Sequence, residues 1–234
     1  KYEVFMRRCG ELFKKGWYSQ ELKGYRDTEH HSTYHFFEMD SLPPLPEGFF
    51  QGTFSWLSEQ NIVSADQYSE LEFTLTKMNS LIQQAEQMSF ALPPEFVTFF
   101  SSSLLPGKIR SCTDCCFALS SRIQPCAGDL GGWVIPVLYD SQGVLFWNLY
   151  IGPDGDSCVV YSEEWYDVQP DDEDDEDDEI ILAPPTAEDL LYCSPSFEAF
   201  VYRFWIENEI WFSLYQNVPL TDLQKKYVSH YRSE

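Results

Sequence analysis

The sequence predicts an α+β fold, an antiparallel sheet of about four to six strands with helices on one face, plus an N-terminal extension. Two observations predict this fold. Several segments repeat apolar residues at intervals of three and four, the spacing that places them on one face of a helix. Between those segments, three short runs rich in β-branched and aromatic residues are separated by turn sequences, as in an antiparallel meander.

The extension covers residues 1–60, and its form is the least predictable part of the chain. Apolar residues between Val4 and Trp17 have roughly helical spacing, which breaks down at Gly24. The segment 42–48 reads Leu-Pro-Pro-Leu-Pro-Glu-Gly and should be a rigid connector, because each proline restricts its own backbone and that of its predecessor. We therefore predict an extension over 1–60 and a domain over 61–234.

Two helices are predicted to open this domain. The first begins at a capping box formed by Ser64 and Gln67, carries apolar spacing as far as Ala85, and ends before the prolines of 92–94. The second, shorter helix covers 94–101 and has proline in its first turn, where the missing amide hydrogen costs nothing.

The sheet is predicted from three strands in sequence. Residues 133–139 and 144–151 are joined by a turn that ends in Gly143, and residues 158–162 follow a second turn of the type Pro-Asp-Gly-Asp. Strands joined by such short turns pair antiparallel.

Two helices are predicted at the C-terminal end of the chain. Ser194 and Pro195 are expected to cap a long helix, and its aromatic stripe runs from Phe197 to Phe212. A short helix around 220–231 is expected to pack behind it.

The negative charge of the chain is concentrated in one region. The whole chain has a formal charge of −23, yet the 80 residues between Arg122 and Arg203 contain no Lys or Arg and carry 19 of the 38 acidic residues. Nine of these form the unbroken run Asp171–Glu179. Because adjacent like charges repel, we predict a disordered, solvated acidic loop over 168–180. The local negative field disfavours direct binding of nucleic acid or anionic lipid and favours a basic protein partner.

The sequence predicts a soluble, cytoplasmic protein. No apolar stretch reaches the roughly 18 residues that a membrane span needs, and no charged and apolar leader is present. The seven cysteines are an odd number in a chain of ordinary size, which is typical of reduced thiols rather than of a disulfide framework.

The cysteine and histidine clusters are the candidates for metal or redox chemistry. Residues 112–116 contain one Cys-x-x-Cys pair, but a second pair at the spacing of a zinc site is missing. Buried, unmodified thiols are therefore favoured over a structural zinc site or a redox motif. His30, His31 and His35 lie near acidic residues, yet adjacent side chains point apart in regular structure. We predict no metal and no cofactor.

The strongest candidate site follows the third predicted strand. There, an aromatic pair stands among carboxylates, the composition of an interface anchor with electrostatic steering. The alternative is that the two aromatic residues are ordinary core at a strand end. The chain lacks nucleophile and phosphate-loop motifs, so no catalytic residue is predicted. The candidate partner-binding residues are Glu163, Glu164, Trp165, Tyr166 and Asp167.

The order of these elements resembles the SUKH superfamily of bacterial immunity proteins, fungal cell-wall regulators and herpesviral proteins. The resemblance rests on Ile82 to Phe100, Trp133 to Ser162 and Ser194 to Asn208. The chain differs from the family in two places. The hairpin turn, usually glycine-rich in the family, is here Ser-Gln-Gly, and a cysteine-containing insertion covers 105–130. The resemblance implies an α+β fold whose members act by binding proteins, although a fold alone does not fix a function.

Three functions follow as expectations. The first is a non-catalytic, immunity-type domain whose acidic surface docks a basic protein such as a nuclease toxin and occludes its cationic cleft. The second is a eukaryotic or viral adaptor of the same fold that binds a protein through another face. The third, a minor alternative, is an enzyme with a cysteine or metal site.

Overall fold

The computed structural model describes residues 12–28, 32–46, 48–63, 71–166 and 183–232. These residues form one sheet of seven strands, a separate two-stranded hairpin and a set of helices. The predicted α+β fold is confirmed.

The strands are β1 to β9 in chain order. β1, β9, β8, β7, β6 and β4 lie side by side in that order in the large sheet, and β5 also pairs with β6. All neighbours are antiparallel except β1 and β9, which are parallel. β2 and β3 form the hairpin. The bounds are Lys14–Lys15, Trp17–Ser19, His35–Phe37, Cys115–Phe117, Gln124–Pro125, Trp133–Asp140, Phe146–Ile151, Ser157–Ser162 and Leu191–Ser194.

The three predicted strands are β6, β7 and β8, and they form the centre of the large sheet. Trp133 lies opposite Ile151, which in turn lies opposite Ser157. Gly143 closes the first turn with φ of 70°, a left-handed conformation that glycine adopts without strain. The sheet exceeds the predicted four to six strands because short outer strands flank this meander.

The helices are α1 to α5 in chain order. The bounds are Ser55–Ser58, Leu71–Gln87, Pro94–Phe100, Phe197–Tyr215 and Asp222–Val228. The aromatic helix, the helix after the proline pair and the short C-terminal helix are confirmed. Their predicted caps need one correction: α4 is capped by Ser196, whose hydroxyl accepts a hydrogen bond from the Ala199 amide at 3.2 Å, and not by Ser194 and Pro195. Ser196 has the extended backbone that a cap requires.

The two faces of the large sheet are covered differently. The helices pack on one face, where Trp147, Phe197 and Phe200 lie in the main hydrophobic core. The opposite face carries a smaller cluster, in which Tyr150 packs with Tyr166 and other residues from loops. The helices therefore lie on one face, as predicted.

The N-terminal segment shares the main core. Trp17, Leu22, Phe54 and Leu57 are all buried in it, and β1 extends the large sheet. Strands lie where Lys14 to Trp17 were expected to continue a helical pattern, so that expectation is wrong over these residues. The division into units at residue 60 stays a prediction.

Several predictions fall outside the described residues. They concern the acidic loop over 168–180, the capping box at Ser64 and Gln67, and the pair His30 and His31. Among the helices that the structure describes, none combines the length and apolar character that crossing a bilayer requires.

Candidate functional site

The candidate site begins where β8 ends. Glu163 and Glu164 leave the sheet as exposed residues, Trp165 is half-buried and Tyr166 is buried. Asp167 lies outside the described residues. The structure therefore separates the aromatic pair: one ring is accessible beside the carboxylates and the other is not.

Tyr166 belongs to the core. It is 6% exposed and packs in the cluster on the second face of the sheet, with Tyr150 and Leu190. Burial raises the pKa of the Tyr166 hydroxyl to about 12, and the nearby charges of Asp189 and Glu164 act in the same direction. For this residue, core packing is the interpretation that the structure favours.

Trp165 completes a group of three half-buried rings. Its ring centroid lies 5.6 Å from that of Tyr139 and 5.5 Å from that of Phe146. Tyr139 and Phe146 are opposite each other on β6 and β7, so their side chains stand on the same face of the sheet. We call Tyr139, Phe146 and Trp165 the aromatic ledge.

Hydrogen bonds fix the backbone at the end of β8. The side-chain Nδ2 of Asn148 donates to the Ser162 hydroxyl at 2.9 Å, and that hydroxyl donates to the Glu164 backbone carbonyl at 2.8 Å. Asn148 and Ser162 are both buried. Because buried hydrogen bonds restrict the groups that they join, these two linked hydrogen bonds set the direction in which the two glutamates leave the sheet.

Glu163 and Glu164 also line a cleft. Tyr161 in its wall lies opposite Trp147 of the main core, so the cleft is on the helix-covered face of the sheet, whereas Phe146 of the ledge is on the other face. The volume of the cleft is about 590 Å³, and tyrosines from three separate segments form much of its wall. Tyr18 and Tyr161 pack with their ring centroids 4.6 Å apart. We call this the tyrosine cleft; its main lining residues are Tyr18, Tyr34, Val144, Tyr161, Glu163 and Glu164.

The phenols of the cleft are neutral at physiological pH. Burial raises the pKa of Tyr18 and of Tyr161, and the negative charge of Glu163 raises both further. The charge of the cleft therefore comes from its carboxylates.

The cysteines and His35 do not assemble into a metal site in the described part of the chain. None of the six described cysteines is in a disulfide, and no group of three or more His, Cys, Asp or Glu side chains there could hold a metal ion. Burial raises the pKa of Cys112 and of Cys115, which keeps both as thiols. His35 Nε2 lies 3.1 Å from the Thr28 hydroxyl.

Sequence reasoning missed most of the rings around the glutamates. Tyr139 and Phe146 could have been found from strand alternation, because residues two apart share a face. Tyr18 and Tyr34 lie in the N-terminal segment, where no pattern links them to β8.

Comparison of the chain with protein-family models, with curated proteins and with solved structures found no match. The resemblance to the SUKH superfamily stays a prediction.

Proposed function

We propose that this chain is a non-catalytic protein-binding domain that docks a basic protein through the surface formed by Glu163, Glu164 and Trp165. One observation carries the proposal. Two exposed carboxylates line the tyrosine cleft and directly precede Trp165 of the aromatic ledge in the chain, so charge and accessible rings flank the end of β8, with the cleft on one face of the sheet and the ledge on the other.

The carboxylates and the aromatic rings would act at different stages of binding. Exposed carboxylates act at long range and accelerate the encounter with a cationic partner, an effect that salt weakens over a Debye length of about 10 Å. Aromatic rings contribute after contact, because they bury a large area with few rotatable bonds and prolong the complex.

The immunity-type form of this function is the one that the family resemblance implies. A nuclease toxin has a cationic cleft built for phosphates, and the carboxylates of Glu163 and Glu164 would cover it by occlusion. Cytoplasmic location fits this form and is part of the proposal.

A second groove favours the rival proposal, an adaptor that binds through another face. Its volume is about 500 Å³, and it lies between the proline-rich segment and α5. Its wall is mostly apolar and includes Phe49, Tyr202 and Tyr227, with Lys226 at its edge. A partner bound there would not depend on Glu163 or Glu164.

Salt-dependent capture tests the proposal. The immobilised full chain is exposed to an extract of its source cells at about 50 mM and about 500 mM salt, where screening differs strongly. We expect basic proteins to be retained only at the lower concentration. The double variant Glu163→Gln/Glu164→Gln should lose them. The matched control Glu59→Gln/Glu86→Gln removes the same charge at two exposed positions, one directly after α1 and one on α2, and should retain them. If both double variants retained the basic proteins equally, the proposal would be contradicted and binding through the second groove would be favoured.

A further inference from the structure

The tyrosine cleft is assembled from parts of the chain that are distant in sequence. Tyr18 comes from β2, Tyr161 from β8, and Tyr34 from the segment before β3. The turn between β6 and β7 adds Val144, which is 50% exposed. Three rings and one exposed apolar side chain therefore line the cleft.

The charged residues that the structure describes in the lining of the cleft, Glu163 and Glu164, are both acidic. None of the described residues that line it is basic, and neither Glu163 nor Glu164 forms an ion pair with a described residue. The cleft thus combines aromatic faces with carboxylates, two kinds of group that attract cations.

A buried carboxylate lies behind this wall. Asp140 is 1% exposed, and neither of its carboxylate oxygens has a hydrogen-bond partner among the described residues. It pairs with Cys115 across β4 and β6, and the Cys115 sulfur lies 3.2 Å from the Tyr34 hydroxyl. Burial raises the pKa of Tyr34, and the nearby Cys115 and Asp140 act in the same direction.

Elsewhere in the protein, two arginines each contact an aromatic ring and a glutamate, the same two kinds of group that line the cleft. The Arg26 guanidinium lies 4.0 Å from the Phe37 ring centroid and 2.9 Å from a Glu207 oxygen. The Arg110 guanidinium lies 4.0 Å from the Phe212 ring centroid and binds both oxygens of Glu209, at 2.7 and 2.8 Å. In both places a guanidinium contacts an aromatic face and a glutamate together.

We infer that the tyrosine cleft is a subsite for one arginine side chain of the basic partner. This inference rests on the proposed function and names the group that the surface selects. Arginine fits better than lysine, because its planar guanidinium stacks on rings and donates two parallel hydrogen bonds to a carboxylate. The polar side chains of Ser32, Thr33 and Gln142 line the same cleft and supply further acceptors.

Titration with small probes tests the subsite directly. N-acetyl-arginine amide is added to the isotope-labelled full chain while backbone amide resonances are followed by NMR. We expect saturable shifts at Tyr18, Tyr34, Val144 and Tyr161, in the millimolar range. N-acetyl-lysine amide should bind at least about threefold more weakly, since it stacks poorly. N-acetyl-citrulline amide, which has the same shape without the charge, should not saturate.

Variants separate the subsite from nonspecific charge effects. Glu163→Gln and Tyr18→Leu should each weaken the arginine probe about fivefold, because one removes a carboxylate and the other a ring face. Glu86→Gln, an exposed control, should leave it unchanged. Because Tyr18→Leu could disturb the fold, the exposed Glu163→Gln variant keeps the test decisive. Equal shifts with all three probes, shifts confined to another surface, or equal weakening by Glu163→Gln and Glu86→Gln would each overturn the inference.

The result is distinguishable from the outcome for the proposed function. If the subsite inference alone is wrong, the arginine probe fails but basic proteins are still captured in a manner that depends on Glu163 and Glu164. If the proposed function is wrong, capture fails whatever the small probe does.

Discussion

Arg26 and Glu207 form a buried ion pair that ties the N-terminal segment to α4. Arg26 Nη1 lies 2.9 Å from Glu207 Oε1, and the two side chains are 6% and 1% exposed. The same carboxylate accepts hydrogen bonds from Trp17 Nε1 at 2.8 Å, Ser19 Oγ at 2.6 Å and the Tyr227 hydroxyl at 2.7 Å. Residues more than 180 positions apart therefore meet at one group, and β2, which carries Tyr18 of the cleft, is held in place by it.

Removing the charge of Glu207 should destabilise the protein strongly. Glu207→Gln leaves the Arg26 guanidinium buried without a counterion, which typically costs about 3–5 kcal/mol. Denaturant unfolding at neutral pH measures the loss. The control is Glu209→Gln on the same helix, which breaks the more exposed pair with Arg110 and should cost no more than about 1 kcal/mol. Similar losses in both variants would contradict the importance we give to the buried pair.

The stability of this pair should depend on acidic pH. Burial alone would raise the pKa of Glu207, but the charge and hydrogen bonds of Arg26 lower it from 4.5 to about 2. A carboxyl with a lowered pKa in the folded state stabilises the fold above its unfolded pKa, and this contribution disappears as the pH falls from about 4.5 to about 2.

The difference between two proteins isolates this effect from other titrating acids. Between about pH 5 and pH 2, the free energy of unfolding of the unmodified protein should fall by roughly 3 kcal/mol more than that of Glu207→Gln. Parallel pH profiles would show that Glu207 is not ionised through its contact with Arg26.

Trp165 and Tyr166 should differ in their effect on stability. Trp165→Ala removes two ring contacts at the surface, each worth about 0.5–1.5 kcal/mol, and should leave the fold intact. Tyr166→Ala removes a buried side chain and should cost about 3–5 kcal/mol, as for other large-to-small core changes. Thermal unfolding compares the two. Unfolding of the Trp165→Ala variant would return this ring to the core and remove it from the proposed interface.

The cysteines near β4 should carry no zinc. Zinc ligands are thiolates, and burial raises the pKa of Cys112 and of Cys115. The second pair that a zinc site needs is missing from the sequence around Cys116 and Cys126. Elemental analysis of protein purified without chelator checks this, and one equivalent of zinc would overturn it.

The parts of the fold that the sequence predicts are those with long local patterns. The stripe of α4 repeats over 19 residues, and β6 to β8 are runs of six to eight residues, rich in β-branched and aromatic side chains, between clear turns. β1 and β9 have two and four residues, too few for a periodic signal. They pair because the N-terminal segment meets Leu191–Ser194 at the sheet edge, a long-range contact that no local pattern encodes.

The candidate site divides in the same way. The carboxylates and Trp165 are recognisable from composition at the end of β8. That Tyr166 is buried depends on the packing of loops on the second face, and that Tyr18 and Tyr34 reach the site depends on long-range contacts such as that of Arg26 with Glu207. A polar signal for that contact does exist: Glu207 lies seven residues after Phe200 on the buried face of α4, where a carboxylate needs a partner.

Association kinetics with a purified basic partner test the central claim most directly. The rate constant for binding is measured by stopped flow from about 50 to about 500 mM salt. For the unmodified protein it should fall steeply with salt. For Glu163→Gln/Glu164→Gln it should be about tenfold lower at low salt and vary less with salt, while Glu59→Gln/Glu86→Gln keeps the steep dependence. Unchanged association rates for Glu163→Gln/Glu164→Gln at low salt would contradict the claim that these two carboxylates guide a basic partner to this surface.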